Sequence, residues 1–528
     1  MDRFPELVQA LKSGRMSRRA FLQTAAAAGV GAVLATSTAD QVLAQTVKRG
    51  GHFRIGHSGG STTDTYDPAT FNNGRMRNFI SATCNYLLEV DSKGVAQPEL
   101  ALGFEPNADA TQFTVKLRRG VTFHDGKTFK AEDVIASVNH HRAEKSTSAV
   151  KAVLKPIKEV RSDDDYTVVF TLEEGNADFP YVFTDYHLPI YPSRDGKLDT
   201  SKIVGTGGYT VERDEPGVRA QLKRNPNYWK EGHANFDSAE IITVSDVVSR
   251  TNALSTDEID AMDRPNLSTV QMLGRRPGVR IMQSTGTQYY SMLMDTRNSP
   301  FGNPDFRKAM KHAVDREMVV KNILRGYAKV GNDNPITPAY RFYNDALEQH
   351  KYDPDKAKFY LNKAGVSNVS LDLSVSNAPY AGAVDSAVLF KEHTAKAGIN
   401  LNITREPEDG YWTNVWRKKP FCIGYIGGRG TVDWMFSTSF ADGSPWNDTH
   451  WKNDRFNMLL KSGRAELNDA KRKEIYFEMQ QIVHDDGATV IYALPDIVIA
   501  VRDRVRNRPV SVNWEMDGDR CIDRWWFA

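Results

Sequence analysis

The stretch FTVKLRRGVTFHDG, residues 113–126, decides how the fold of this chain is interpreted. Polar and apolar residues alternate at its start, so Phe113, Val115 and Leu117 share one face of a half-buried strand that we begin at Gln112. Gly126-Lys127-Thr128 follows as a hairpin turn. The stretch therefore predicts a strand and a hairpin turn within an ordered domain.

Strands and helices are also predicted on both sides of this stretch. Residues 53–56 and 166–172 read as strands, and residues 131–141 carry apolar residues at helical spacing. The chain shows no repeat of 20–50 residues and no low-complexity linker outside its first 44 residues. We therefore expect an α/β protein whose domains interleave along the chain.

The second half of the chain is richer in helix signals. Asn303 and Asp353 each precede a Pro and an acidic residue, a pattern typical of a helix start. The first of these helices should bury Phe306, Met310, Ala313 and Val314. Gly365 is expected to end the second helix in a left-handed conformation, and a third helix is predicted at 383–396.

Length and composition exclude several classes of protein. The 528 residues are 40% hydrophobic and 25% charged, which is the balance of a soluble globular protein with two or three domains. The 68 basic and 66 acidic residues leave a net charge of +2, and no long basic run is present. We therefore expect no nucleic-acid partner. Three cysteines, Cys84, Cys422 and Cys521, exclude a disulfide-dense scaffold.

The first 44 residues have the order of an export signal. Arg18 and Arg19 form a twin-arginine motif, a short apolar run follows at 25–35, and Val42-Leu43-Ala44 suits a signal peptidase. We expect export by the twin-arginine (Tat) machinery, a cut near Ala44 and a periplasmic protein, the alternative being an uncut membrane anchor. The residues after Ala44 hold 63 basic and 63 acidic side chains, so the mature chain is formally neutral.

Enzyme motifs are present only in weak form. Gly56-His57-Ser58-Gly59-Gly60 matches a nucleophile elbow, but the sequence before it is too short to build the sheet such a serine needs. A serine hydrolase using Ser58 is kept as an outside alternative. The adjacent pair His140-His141 cannot share one helical face, and no metal-ligand spacing occurs. We expect no catalytic residue, metal site or cofactor.

Aromatic residues concentrate between residues 411 and 451. Trp and Tyr offer a flat apolar face with a polar tip, which suits small-ligand binding. We expect Trp412 and Trp416, four residues apart, to pack in the core. The aromatic residues of the stretch are Tyr411, Trp412, Trp416, Tyr425, Trp434, Trp446 and Trp451.

Together with these features, the stretch 113–126 resembles the signature of the family 5 extracellular solute-binding proteins. These are the periplasmic dipeptide-, oligopeptide- and nickel-binding components of ABC importers. Further motifs follow in the order that the family has, over essentially all of residues 47–528. They are Tyr66-Asp67-Pro68, Ala131-Glu132-Asp133-Val134, Gly205-Thr206-Gly207-Gly208-Tyr209, Asn225-Pro226-Asn227-Tyr228-Trp229, Ala313-Val314-Asp315-Arg316-Glu317 and Tyr352-Asp353-Pro354-Asp355-Lys356-Ala357.

The resemblance implies an α/β fold of the two-lobed periplasmic-binding-protein type II clamshell. The first lobe would span 45–288, with an extra subdomain at about 75–225. The second lobe would span 289–489, and residues 490–528 would return to the first. The resemblance also implies a monomer that closes on its ligand and docks on a membrane permease.

The ligand is less well defined by the resemblance. Peptide binders of the family place an Asp shortly after a Gly-Trp pair, and here Gly428 stands at that position after Gly424-Tyr425. Arg429 follows, and a guanidinium suits a carboxylate or a phosphate. A peptide or peptide-like solute therefore competes with small anionic solutes such as opines or sugar phosphates. Nickel or haem uptake remains possible for the family, although no metal-binding pattern supports it.

The expected ligand-binding residues come from three places in the chain. Four follow the Gly424-Tyr425 pair or belong to it, two lie in the loop after the first strand, and one lies where the chain should cross between lobes. They are Tyr425, Arg429, Asp433 and Trp434; Asp64 and Tyr66; and Tyr289.

Overall fold

The structure is a computed structural model that describes residues 47–528 apart from Pro445, together with Leu7 and Thr24. The twin-arginine motif and the cut expected near Ala44 lie outside the described residues. Within the described part, strands and helices alternate around three large hydrophobic cores. No helix in this part is long and apolar enough to cross a membrane.

The strands are numbered in chain order. They are β1 His52–His57, β2 Leu88–Val90, β3 Ala96–Pro98, β4 Ala101–Pro106, β5 Gln112–Leu117, β6 Ile157–Asp164, β7 Thr167–Leu172, β8 Ser193–Arg194, β9 Lys197–Leu198, β10 Tyr209–Glu215, β11 Arg219–Arg224, β12 Ser238–Thr243, β13 Ala261–Asp263, β14 Val279–Thr285, β15 Tyr289–Met294, β16 Ala328–Val330, β17 Val369–Val375, β18 Ile399–Arg405, β19 Phe421–Ile426, β20 Thr489–Arg502, β21 Val505–Arg506 and β22 Trp526–Phe527.

The α-helices are numbered in the same way. They are α1 Gly74–Thr83, α2 Ala131–Arg142, α3 Lys151–Leu154, α4 Val247–Ser255, α5 Val270–Gly274, α6 Pro304–His312, α7 Arg316–Met318, α8 Pro354–Lys363, α9 Ala383–Ala395, α10 Tyr411–Asn414, α11 Val432–Ser439, α12 Asp454–Ala465, α13 Asp469–Asp486, α14 Glu515–Gly518 and α15 Cys521–Arg524. Short 3₁₀ turns occur at Pro68–Thr70 and Phe179–Thr184, and a π turn at Val319–Ile323.

The first core packs against a sheet built from both ends of the chain. Strand β1 lies between β12 and β13 and is parallel to both. Its inward side chains, Phe53 and Ile55, are fully buried. Helix α1 and the C-terminal residues Val501 and Trp525 complete this core. The strand predicted at 53–56 is therefore confirmed.

The second core is formed by residues from Tyr289 to Leu494. Its sheet runs β15, β19, β17, β18, with helices on the faces. The Asn303 side chain accepts hydrogen bonds from the first backbone N–H groups of α6, and all four apolar residues expected on that helix are buried. Asp353 caps α8 in the same way, and Gly365 adopts a left-handed φ of 70°. These helix predictions are confirmed.

The third core lies between residues Leu87 and Ile190, inside the stretch 75–225. Its antiparallel sheet has the order β4, β5, β7, β6, and helix α2 packs on it. Phe113, Val115 and Leu117 of β5 are buried, while Lys116 between them is exposed. Gly126 takes the left-handed φ of 86° that its turn requires. The alternation at residues 113–117 is confirmed.

The first core and the second are joined at two places in the chain, the link between β14 and β15 and the middle of β20. The chain passes from β14 to β15 at residues 286–288, and β20 runs beside both strands without interruption. Residues 489–493 of β20 pair with β15, and residues 496–502 pair with β14. Val490 to Leu494 accordingly contribute to the second core, and the chain enters the first core only after them.

A buried charge cluster fixes the C-terminal residues to the third core. Arg520 donates two hydrogen bonds to the Glu99 carboxylate, at 2.7 and 2.9 Å. Glu99 has no exposed surface and also accepts from the Asn85 side chain and the Tyr86 backbone. Both oxygens of this buried carboxylate accept hydrogen bonds, so the C-terminal residues are linked to the third core by a satisfied polar network.

Candidate functional site

An aromatic surface of the second core lies around the end of β19. Trp412, Tyr425 and Trp446 each expose more than a third of their surface; we call these three residues the aromatic face. Trp412 contacts Tyr425 edge-on, with ring centroids 5.5 Å apart. Trp416 lies behind them, against both tryptophans. The expectation that Trp412 packs in a core is wrong, because α10 buries the neighbouring Tyr411 and leaves Trp412 38% exposed.

Arg429 lies beside this aromatic face, on the loop between β19 and α11. Its guanidinium carbon is 5.2 Å from the Trp446 ring centroid, and Nη1 donates to the carbonyl oxygens of Gly427 and Gly428. Its backbone N–H donates to the Tyr340 hydroxyl. Among the described residues, no carboxylate lies within ion-pair distance of this guanidinium. Arg429 is thus a positioned cation with free donors.

Asp448 lies below the same surface and is 8% exposed. One of its carboxyl oxygens, Oδ1, has no hydrogen-bond partner among the described residues. Burial raises the pKa of Asp448 to about 7, against a hydrogen bond from the Trp416 side chain and the positive charges of Arg417 and Arg429. The carboxyl group is therefore half-protonated near neutral pH.

The raised pKa of Asp448 predicts a dependence of stability on pH. In the unfolded chain this carboxyl ionises near 3.8, so between pH 4 and pH 7 the folded protein holds a proton that the unfolded chain has lost. The free energy of unfolding should therefore fall as pH rises through this window, relative to Asp448→Asn, by about 1.4 kcal/mol per unit.

Urea unfolding at intervals from pH 4.5 to pH 7.5 measures this difference. The exposed Asp442→Asn serves as the control and should run parallel to the wild type. A constant difference between wild type and Asp448→Asn would show that Asp448 is ionised in both states.

A second surface, on the first core, presents Arg77 from helix α1. Its Nε donates to Asp519 at 2.8 Å, and its guanidinium carbon lies 4.7 Å from the Trp514 ring and 5.5 Å from the Tyr186 ring. Trp514 and Tyr186 also contact each other edge-on. Burial raises the pKa of Asp519 to about 6, although Arg77 opposes that rise.

The backbone that carries Trp514 and Asp519 has an unusual conformation. Met516, Asp517, Gly518 and Asp519 all have φ between 53° and 63°, which is a left-handed turn. Such a turn costs about 1–2 kcal/mol for each residue that carries a Cβ. The Asp517 carboxylate offsets part of this cost, because it accepts hydrogen bonds from the Ser511 backbone and from Trp525 Nε1.

Arg264 and Glu515 form an ion pair on the first core, near the Tyr425 side of the second core. Arg264 Nε donates to Glu515 Oε1 at 2.6 Å, and the Arg264 side chain remains 65% exposed. Burial raises the pKa of Tyr290 in the second core, and the nearby charges of Tyr425, Arg264 and Glu515 also act on it. The first-core pair therefore faces the Tyr425 side of the second core, and we call the space between these surfaces the cleft.

Two further residues expected at the site, Asp433 and Trp434, begin helix α11. Both Asp433 oxygens accept from Arg464 Nε at 3.2 Å, and Ser437 donates to one of them. Burial raises the pKa of Asp433 to about 6, with Arg464 acting in the opposite direction. Trp434 is half-buried beside Gly430. Asp433 is thus held inside the second core, while Trp434 borders the Arg429 loop.

The remaining expected residues are held by internal contacts. Asp64 accepts from Asn73 and the Ser61 backbone, and it lies 3.8 Å from Arg75. Tyr66 donates to Asp214 at 3.0 Å. Tyr289 is 2% exposed and belongs to the second core. The structure therefore brings together Tyr425, Arg429 and Trp434, and gives the other four internal partners.

Ser58 does not have the arrangement of a catalytic triad. Its hydroxyl donates directly to Asp263 Oδ2 at 2.5 Å, and the His57 Nδ1 atom lies 3.3 Å from the same oxygen. Burial lowers the pKa of His57. A triad places the histidine between the serine and the acid, whereas this serine bonds to the acid itself, which also pairs with Arg250.

One group of side chains in the second core has the spacing of metal ligands. Donor atoms of His350, His484 and Asp485 lie within 4.8 Å of one another. Both ring nitrogens of His484 already have partners, Asp485 and the Glu348 carbonyl, and His350 Nδ1 bonds to Asp333. The group therefore functions as a hydrogen-bonded cluster in this conformation. Sequence spacing gave no sign of it, because 133 positions separate its two histidines.

Sequence reasoning also missed the first-core surface of the cleft. Arg77 and Trp514 are separated by more than 400 positions and meet only because the C-terminal residues return to the first core. The acidic, glycine-containing run at 515–519 was the available signal, since consecutive Asp and Gly residues tolerate left-handed turns.

The sequence pattern of the bacterial extracellular solute-binding proteins, family 5, matches residues 95–448. The chain belongs to this family. Its fold is the type II periplasmic-binding-protein fold, and it is a solute-binding protein of the ABC importer class, not an enzyme. The serine hydrolase alternative is therefore wrong.

Relatives span nearly the whole described chain. Heme-binding protein A of Haemophilus influenzae is 28% identical over 430 residues, which cover 74% of this chain and 77% of that protein. The dipeptide-binding protein of Escherichia coli is 26% identical over 456 residues, covering 78% and 84%. The structure of HbpA2 from Haemophilus parasuis superimposes with a TM-score of 0.81 at 21% identity, over 90% of this chain and all of that one.

Proposed function

We propose that this protein captures a peptide or peptide-like solute in the cleft and delivers it to the permease of an ABC importer. The solute carries at least one acidic group, which binds Arg429. The observation that supports this proposal most strongly is the guanidinium of Arg429, oriented by two carbonyl oxygens and Trp446 and left without an acid partner. Such a group binds a carboxylate through paired hydrogen bonds.

In this proposal the two halves close around the solute as lobes of a clamshell. The first lobe spans 45–288 with the inserted third core, the second spans 289–489, and the C-terminal residues return to the first. A ligand shifts such a protein toward the closed form only by binding that form better. The protein acts as a periplasmic monomer, exported by the twin-arginine machinery and cut near Ala44.

A small anionic solute such as an opine or a sugar phosphate is the second candidate. It is favoured by Gly428, because no carboxylate stands at that position to bind a peptide ammonium group. The relatives named for heme and for dipeptides show that similar folds accept flat and extended ligands. The aromatic face suits either shape, since its rings offer broad apolar contact.

Mass spectrometry of the compound released by denaturing freshly purified protein tests the proposal. A compound with an acidic group supports it. A released compound without any acidic group would contradict it. A thermal-shift screen of peptides, opines and sugar phosphates tests independently whether the bound solute carries an acidic group. A ligand is detected because it raises the apparent stability of the protein with its concentration.

Substituting Arg429 should weaken solute binding selectively. Arg429→Ala removes a charge-assisted hydrogen-bond donor, so we expect affinity for the solute found in the screen to fall about 10- to 100-fold. Isothermal titration measures the loss. Arg455→Ala, an exposed arginine of α12 paired with Glu478, is the control and should bind as the wild type does. If Arg429→Ala binds the solute as tightly as the wild type does, Arg429 does not contact the solute.

A further inference from the structure

Arg77 is held in one orientation by its surroundings. Its side chain is only 9% exposed, Asp519 accepts from Nε, and the rings of Trp514 and Tyr186 lie against the guanidinium. Among the described residues, no acceptor bonds to Nη1 or Nη2, and neither atom is fully buried. The Nη1 and Nη2 donors of the planar guanidinium are therefore free, and the bond from Nε to Asp519 fixes their direction.

Arg77 and Arg264 each pair with an acid, whereas Arg429 forms no ion pair among the described residues. Arg77 donates to Asp519, and Arg264 donates to Glu515. Asp519 is already engaged by Arg77 and Asn78, and Glu515 by Arg264. Asp448 acts on Arg429 only through space, so an anionic ligand would supply the hydrogen-bonded acid that Arg429 lacks.

Arg77 and Arg429 approach the same tyrosine from opposite sides of the cleft. Arg77 belongs to the first core and lies 5.5 Å from the Tyr186 ring, while Arg429 extends from the second core. Burial raises the pKa of Tyr186 to about 12, and the positive charges of Arg77 and Arg429 both oppose this rise. Both guanidinium groups are therefore near enough to Tyr186 to act on its charge.

We propose that Arg77 binds a second acidic group of the solute, so that the solute is a diacid bridged between Arg77 on the first core and Arg429 on the second. This inference rests on the proposed function and narrows its substrate class. The two groups are two carboxylates, or a carboxylate and a phosphate. A ligand of this kind links the two lobes electrostatically, because each lobe supplies one arginine.

The test compares matched solutes that differ by one acidic group. The first pair is the dipeptides Ala-Glu and Ala-Gln, and the second is glutathione and its glycyl ethyl ester. The third pair, 6-phosphogluconate and glucose 6-phosphate, separates a carboxylate–phosphate site from a dicarboxylate site. Isothermal titration of the full-length mature protein at fixed pH and low salt gives each affinity.

The variants are chosen to separate charge from folding. Arg77→Gln alone leaves the buried Asp519 without its counter-charge, so the double variant Arg77→Gln/Asp519→Asn keeps the site neutral and hydrogen-bonded. Arg118→Gln is the matched control. Arg118 also lies against a tryptophan, 4.6 Å from the Trp229 ring, but outside the cleft.

We expect the wild type to bind the diacid of at least one pair about 10- to 100-fold more tightly than its partner. The double variant should lose this preference, and Arg118→Gln should keep it. The proposal is overturned if no diacid binds, if both members of every pair bind equally, or if the double variant keeps the preference. A solute that depends on Arg429 but not on Arg77 would overturn this inference alone, whereas indifference to Arg429 would overturn the proposed function.

Discussion

Arg520→Met should lower the free energy of unfolding by about 3–5 kcal/mol, the largest loss we expect from a single substitution in this chain. Arg520 supplies two of the donors of the buried Glu99 carboxylate and also lies 3.4 Å from Glu89. Methionine fills a similar volume but leaves the buried Glu99 carboxylate with Lys230 Nζ, 3.4 Å away, as its remaining cationic partner.

Differential scanning calorimetry and urea unfolding measure this loss. The control is Arg161→Met, which breaks the exposed pair with Asp163 and should cost less than about 1 kcal/mol. Adding Glu99→Gln to Arg520→Met should recover part of the stability, because the double variant no longer buries a carboxylate that has lost its arginine. Equal losses in Arg520→Met and Arg161→Met would show that the Glu99 cluster contributes little.

Arg472→Met should shift the protein strongly toward the open form. Arg472 on α13 pairs with Asp178 of the third core at 2.5 Å, and both side chains are at least 90% buried. Next to them, the Ala177 backbone donates to the Arg464 carbonyl. In the proposed clamshell these contacts join the two lobes, so they form only when the lobes are close. Breaking the pair leaves Asp178 uncompensated in the closed form alone, which should cost that form about 3 kcal/mol.

Small-angle X-ray scattering and titration measure the shift. The radius of gyration of the purified protein should increase, and solute affinity should fall about 100-fold. Arg472→Met/Asp178→Asn should be less open than the single variant, since it removes the unpaired carboxylate. Arg455→Met on neighbouring α12 is the control. A single variant as compact and as tight-binding as wild type would show that this pair does not stabilise closure.

The local structure was largely predictable because local rules govern it. Alternation at residues 113–117 identified a strand, and the Asn303 and Asp353 caps placed two helices correctly. The cleft was only partly predictable. Arg429 and Tyr425 follow a family motif, but the role of Asp433 depends on Arg464 from another helix. Arg77 meets Trp514 through long-range packing, which no local pattern encodes.

The sequence also could not predict which aromatic side chains are exposed. Seven tryptophans and tyrosines fall within 411–451, yet Tyr411 and Trp451 are buried whereas Trp412, Tyr425 and Trp446 are exposed. Composition predicted an aromatic surface but not its members, because tertiary packing decides which rings are covered. The lobe boundaries stay a prediction, although β14, β15 and β20 show where the chain passes between the cores.

Strand β20 comes later in the chain than every strand with which it pairs, and Trp525 follows it. Until these residues have been made, β13, β14 and β15 lack a strand that pairs with each of them. The first core, which contains β1, can therefore be completed only after the residues of the second core have been made.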